Sequence, residues 1–183
     1  MPQLPLIDPD NADDEAREAL TLAHRTFGIT PNIAKAMANS PAAMRGYLVL
    51  ADALGRSDMT AATRARIGLL VAQENRCDYG LSAHSFLGVR TAGLTEAEVG
   101  DARSGTAAEP RDAAVLALTA ALVRRRGAVT DEELRVARGA LTPTDIVDVI
   151  AQVALAIFDN YLVLAGRVDV DWPLVRHTDH PIA

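Results

Sequence analysis

Cysteine occurs once, at Cys77, in a chain of 183 residues. A single thiol excludes an intrachain disulfide and any multi-cysteine metal site within one chain, and a reducing, cytoplasmic setting is the expectation. Aromatic residues make up only 4% against 49% hydrophobic residues in all. The interior must therefore be built from Ala, Leu, Val and Ile, which suits closely packed helices and disfavours strands rich in Tyr, Phe and Thr. Basic residues do not gather: the longest run is Arg124 to Arg126 and the formal net charge is -6. No stripe of this kind tracks phosphates, so nucleic acid is not an expected partner. The opening MPQLPLIDPD has no basic segment followed by an apolar one, and the apolar positions of 146 to 165 are interrupted by Asp148, Gln152, Asp159 and Asn160. No apolar run is read as reaching bilayer length, and no membrane partner is expected. Repeats and low-complexity linkers are missing too, and the length suits a single helical domain over 1–183.

What is present is dense helix punctuation. Asp10 or Asn11 is the expected cap of a first helix running to Thr26, with Asp13, Asp14 and Glu15 early in it and Gly28 closing it. Thr30-Pro31 and Ser40-Pro41 each read as a cap followed by Pro at the first helical position, the second opening a helix that ends at Gly55. An apolar helix is predicted over 60–75, a boundary at Asn75 to Asp78, and a new helix from Asp78 to Thr91 that stops at Gly93. Thr95 with Glu98, and Thr130 with Glu133, are capping-box patterns, and between them a long helix is predicted from about Pro110 to Arg126. Thr142-Pro143 opens the last helix, whose apolar residues Ile146, Val149, Ile150, Val153, Ile157, Leu162 and Leu164 exceed one narrow stripe. Burial on several sides is expected of it, in a core or a subunit interface. Gly46, Gly68 and Gly88 fall inside predicted helices and point to close helix contacts there. The tail from Arg167 is polar, with Trp172 and Pro173 as anchors, and His177, Asp179 and His180 are expected in a mobile end.

The candidate chemistry lies in VAQENRCDYGLSAHSFLGVRTAGLT. Cys77 and His84 are seven residues apart, so on a helix they share a face about 10.5 Å apart along the axis. Gly80 between them is expected to leave a notch that admits a small molecule. A cysteine at a helix start sits in partial positive charge that stabilises a thiolate. The same residues also read as a small buried apolar side chain and a hydrogen-bonded core histidine, and spacing alone leaves both open. Tyr79 beside the gap is either a proton donor that orients a carbonyl or carboxylate, or a core aromatic. Glu74, one turn before Cys77, is a further candidate for substrate contact. Asn160 and Asp159 in the last helix read first as structural hydrogen-bonding residues and second as ligand contacts. His24 reads as surface or packing.

This segment resembles the signature of the carboxymuconolactone decarboxylase and alkylhydroperoxidase D family, E-x11-C-x2-C-x3-H. Cys77 matches the first cysteine and His84 the histidine, while Gly80 stands at the second cysteine and Ala65 at the glutamate. Similar stretches run from Phe27 to Leu54 and from Ile157 to Pro173, which gives a family-like core over 25–175 with extensions at 1–10 and 174–183. The resemblance implies an all-α, single-domain multi-helix bundle that assembles as a trimer or hexamer, with no metal and no cofactor. Dithiol peroxide reduction needs a second thiol to resolve the sulfenic acid, and this chain has none. The family's other branch implies non-redox acid-base chemistry, such as decarboxylation or isomerisation, on a small organic acid, lactone or carbonyl compound. His84 is then the acid or base, with Tyr79 and Cys77 as further catalytic candidates and Gly80, Glu74 and Asn160 as substrate contacts. Monothiol alkylhydroperoxidase activity through Cys77, and a non-catalytic ligand-binding member, are the alternatives.

Overall fold

A computed structural model describes residues 3–178, apart from the side chains of residues 26 and 27. Among the described residues there are nine α-helices and no strand: α1 Asp14–Phe27, α2 Asn32–Met37, α3 Pro41–Gly55, α4 Ala61–Glu74, α5 Asp78–Arg90, α6 Glu96–Arg103, α7 Pro110–Arg124, α8 Asp131–Arg138 and α9 Pro143–Gly166. The all-helical expectation holds, and most predicted ends fall within two residues of the observed ones.

Local chemistry explains both the agreements and the misses. Thr95, Thr130 and Thr142 each close a reciprocal capping box with Glu98, Glu133 and Asp145. The cap of α1 is Asp13, not Asp10 or Asn11. Those two are held by the Asp8 carboxylate, which accepts from the Asp10 amide at 3.0 Å and the Asn11 side chain at 3.1 Å. Pro31 occupies the cap position of α2 in place of Thr30. The Thr30 hydroxyl instead meets His24 Nδ1 at 3.1 Å on the surface. The first free amides of α2 are satisfied from far along the chain: Asn32 N donates to Asp171 Oδ2 at 2.7 Å and Ile33 N to the Tyr79 hydroxyl at 3.1 Å.

The helix buried on all sides is α4. Ile67, Leu69, Leu70, Val71 and Ala72 are fully buried on successive faces, and α5, α6, α7 and α9 pack around them. One apolar cluster joins α4, α5 and α6 to the C-terminal segment, a second joins α4 to α7, α8 and α9, and a third lies among α1, α2 and α3. Arg66 on α4 is almost wholly buried and pairs with Glu98 at 2.6 Å and Asp112 at 3.1 Å, which ties α6 and α7 to the centre.

Within this chain the last helix is covered on one face. Ile146, Val149 and Val153 of α9 are buried, but Val147, Ile150, Tyr161 and Leu164 are exposed, so α9 is packed on one side only. By length and composition α9 is also apolar enough to cross a bilayer, with a mean hydropathy of 1.7 over its best window, contrary to the reading that no segment reaches that length. The polar interruptions at Gln152 and Asn160 face inward, where both are buried.

The tail to Thr178 is not the mobile end expected. Val175 N donates to Ser82 Oγ at 2.9 Å, and Asp78 Oδ1 accepts from His177 N at 2.9 Å and meets His177 Nδ1 at 2.7 Å. Gln73 Nε2 donates to the Thr178 carbonyl at 2.9 Å. Trp172, as expected, anchors the segment, stacking on Phe86 at 5.7 Å. Asp179 and His180 lie outside the described residues. At the other end Gln3 N donates to the Gly166 carbonyl at 2.8 Å and Ile7 N to that of Lys35 at 3.1 Å, so residues 3–7 are docked.

Burial alone would raise the Asp78 carboxyl, but the His177 amide and ring hold it below the ordinary carboxylate value. A depressed pKa of this kind stabilises the fold above the unfolded value of about 4 and is lost as pH falls below it. Replacement Asp78→Ala is expected to cost about 1–3 kcal/mol, the worth of hydrogen bonds to a charged acceptor. It should also expose the backbone near Arg176 to trypsin in limited proteolysis, whereas the wild type resists there at neutral pH.

Candidate functional site

The corner between α4 and α5 is made by Asn75, by Arg76 in the left-handed region at φ 52°, and by Cys77 as the cap of α5. The thiol is thus at a helix N-terminus as predicted, and Sγ accepts from Gly80 N at 3.4 Å. The electrostatic outcome is the reverse of the expectation. Cys77 is completely buried, and burial pushes its thiol up to about 11 against the opposing pull of the Gly80 and Tyr79 amides. Loss of solvation outweighs the partial charge of the helix end.

One turn further, Gly80 does not leave a notch. A Cβ there would stand 2.6 Å from Asn160 Oδ1 and 2.9 Å from the Ala72 methyl, so the Asn160 amide already fills the space. A second thiol at this position has no room. His84 lies another turn along α5, its ring flat on the backbone of Gly68 of α4. A Cβ at Gly68 would be 2.4 to 2.6 Å from three of the ring atoms. The close contact inferred for Gly68 is therefore with the histidine. A Cβ at Gly88 would stand 3.3 Å from Leu94, whereas one at Gly46 would meet open space.

His84, Tyr79, Gly80 and Asn160 come together on a cavity of about 420 Å³ between α2, α3, α5 and α9. Its walls are apolar: Ile29, Ile33, Met37, Met44, Leu48, Leu87, Val163 and Trp172. No Lys or Arg is among the described residues that line it. Cys77 and Glu74 do not join. The first is sealed in the core beneath, and the second pairs with Arg124 at 2.9 Å on a separate groove against α7 and α9. Ala65 is packed in the core near Gly88. His24 stays on the surface.

Four polar side chains define the chemistry. Burial lowers His84 to about 4, so its imidazole is neutral near neutral pH, and none of the described residues hydrogen-bonds the ring. Tyr79 reaches the cavity, but its hydroxyl is committed: it donates to Asp171 Oδ1 at 2.8 Å while accepting from Ile33 N. Burial also raises its pKa. Tyr79 therefore fastens α2 and the tail over the cavity and is not a free proton donor. Asp159, read from the sequence as structural, also lines the cavity. Burial raises its carboxyl to about 7, Tyr47 donates to Oδ2 at 3.0 Å, and Oδ1 has no partner. Asn160 is 2% exposed and its Nδ2 is also unpaired. An unsatisfied buried polar atom costs about 1–3 kcal/mol, and two consecutive residues of α9 each carry one here.

Sequence reasoning ranked ligand contact second for Asp159 and missed Tyr47. For Asp159 the signal existed, a charge in the middle of an apolar helix. For Tyr47 there was none, since it meets Asp159 across 112 positions of chain.

No family model and no curated protein matches the sequence. Solved structures do. A peroxidase-related protein with an alkylhydroperoxidase core from Ralstonia eutropha superposes with a TM-score of 0.78 at 20% identity, over 93% of this chain and 92% of its own. A peroxidase-related protein from Silicibacter gives 0.76 at 20% identity over 91% and 88%. The debrominase Bmp8, in complex with 2,3,4-tribromopyrrole, gives 0.76 at 16% over 92% and 91%. The class of fold is thus that of alkylhydroperoxidase D-like, peroxidase-related proteins, and the resemblance read from the sequence is borne out at the level of fold.

Two measurements test this site. Restoring a thiol with Gly80→Cys is expected to destabilise the protein by about 1–3 kcal/mol, as overpacking does, and to yield no disulfide between Cys77 and the introduced thiol under mild oxidation. Iodoacetamide at pH 8 is expected to leave Cys77 unmodified in the folded protein and to label it on unfolding, which mass spectrometry reads directly.

Proposed function

We propose that this chain is an enzyme of non-redox proton transfer, acting in the cavity on a small, uncharged organic molecule such as a lactone or carbonyl compound. The observation that carries the reading is the neutral imidazole of His84, without a hydrogen-bond partner among the described residues, on a mostly apolar cavity that the only thiol does not reach. A substrate carboxylate would find no cation among the described lining residues, so isomerisation of a lactone or ketone suits the site better than decarboxylation of an acid. In such a step the imidazole takes a proton from carbon next to the carbonyl, the C–H electrons pass into an enolate, the imidazolium proton exchanges with solvent, and a proton is then delivered to another carbon. The monothiol peroxidase alternative is disfavoured by the buried, high-pKa thiol. A second reading is a ligand-binding member without turnover. The depressed pKa of His84 favours it, because a base near 4 removes protons from carbon poorly. Self-association as a trimer or hexamer and a cytoplasmic setting belong to the same proposal. The exposed apolar residues Val147, Ile150, Tyr161 and Leu164 on α9 support self-association.

An unsaturated five-membered lactone incubated with the protein in D2O tests the reading. Proton NMR is expected to show isomerisation with deuterium uptake, lowered at least about 10²-fold in His84→Gln and unchanged in Cys77→Ser. Thiol-dependent peroxide consumption that disappears in Cys77→Ser would overturn it, and a ligand-induced thermal shift without exchange would favour the binding reading.

A further inference from the structure

The proton-transfer reading leaves the charge that develops on the substrate oxygen without a partner. Most polar side chains of the cavity wall are already committed. Tyr79 gives its hydrogen to Asp171 while accepting from Ile33 N, Thr91 Oγ1 donates to the Leu87 carbonyl at 2.7 Å, and Asn160 is 2% exposed with Nδ2 sealed. There remain His84, Tyr47 and Asp159, which all line the cavity and are half-buried. Asp159 Oδ1 is sealed as well, so the carboxyl works through Oδ2, 3.0 Å from the Tyr47 hydroxyl. The ionisation of the carboxyl decides which end of that bond donates. A carboxylate only accepts and holds the Tyr47 hydrogen; the acid can donate from Oδ2 to the phenol oxygen, and Tyr47 then has its own hydrogen for the cavity. Burial lifts the carboxyl to about 7, so the acid form prevails below neutrality. The titratable groups around the pair are Tyr47 from α3 and Tyr79, His84 and Cys77 from α5, all held neutral by burial, and no Lys or Arg is among the described lining residues. The tail's Asp171 is taken up by Tyr79 and Asn32.

We propose that Tyr47 is the general acid of this cavity, donating to the carbonyl oxygen of the substrate, with Asp159 behind it as the positioning residue that supplies the proton. As His84 takes a proton from carbon, the C–H electrons form the C=C bond and the C=O π pair takes the Tyr47 hydrogen. The Asp159 Oδ2 hydrogen moves to the phenol oxygen. The outcome is a neutral enol, an imidazolium and a carboxylate, and the reverse transfers restore the carbonyl when a proton is delivered to the other carbon. A base near 4 gains most from such a partner, because no enolate charge is left against an apolar wall. The assignment deepens the function proposed above and rests on it for the reaction; the hydrogen bond to a carbonyl stands without it.

The test follows lactone exchange by the full chain from about pH 5 to about pH 9, and beside it the NMR resonance of carbonyl-labelled cyclohexanone, a ketone that has only to bind. Exchange is expected to fall as pH rises through about 7. Asp159→Asn, whose amide can donate to the phenol at any pH, should lose that fall, and Tyr47→Phe should slow exchange at least about 10²-fold. The carbonyl carbon of bound cyclohexanone should lie downfield at about pH 5.5 relative to about pH 8.5, the mark of a hydrogen bond, and the difference should vanish in Tyr47→Phe. If Tyr47→Phe unfolds the chain, Asp159→Asn carries both arms, with the downfield position kept at either pH. Undiminished exchange in Tyr47→Phe, an alkaline fall that survives Asp159→Asn, a carbonyl resonance indifferent to pH or to Tyr47, or no cyclohexanone binding at about 10 mM would overturn the assignment. Exchange that needs His84 but not Tyr47 sinks the general acid and spares the enzyme. A carbonyl shift that needs Tyr47, without exchange, does the opposite.

Discussion

The close seating of α5 on α4 is the constraint on which the rest of the molecule depends. It is possible because the facing positions are small: Gly68 receives the His84 ring, Ala72 lies against Gly80, and Ala65 faces Gly88. Larger residues at these positions would hold the helices apart, and the imidazole would lose its floor. Glycine within a helix costs about 1 kcal/mol relative to alanine, and here that cost is returned as a fixed ring. The same seating buries Cys77 beneath the site. Thiol and imidazole, seven residues apart on one face, therefore end in different environments.

Burial decides the electrostatics throughout. It raises Cys77 to about 11 in spite of two amides at the helix end, lowers His84 to about 4, and lifts Asp159 to about 7. Each direction is the one in which the neutral form gains. The cavity consequently holds polar groups that are largely uncharged near neutrality, and an uncharged ligand is the natural complement. A carboxylate ligand would add a charge that no described lining residue offsets.

The tail and α2 close this space through one side chain. Tyr79 stands on α5, yet its hydroxyl joins Ile33 and Asp171, and Asp171 in turn caps Asn32. A residue placed by its neighbourhood among candidate catalytic groups is thereby a fastening. Strap and lid are held by hydrogen bonds whose partners are more than 45 positions apart in sequence.

Much of the fold was legible in the sequence because helix ends are set by hydrogen bonds that span three or four residues. Ser40, Thr95, Thr130 and Thr142 cap as their spacing says. Where a cap was misplaced, at Asp13 and Pro31, a competing contact had already claimed the Asn11 and Thr30 side chains and the Asp10 amide. The sequence by itself determined an all-helical chain, the start of α5 at Cys77, the inward role of His84 and the loss of the thiol pair. Only the tertiary structure decided that the thiol is sealed, that Gly80 is filled by Asn160, that Glu74 faces elsewhere, and that Asp159 with Tyr47 belongs to the cavity. Those outcomes turn on which distant surfaces cover a group, and desolvation is a property of the covering, which no local pattern of residues encodes.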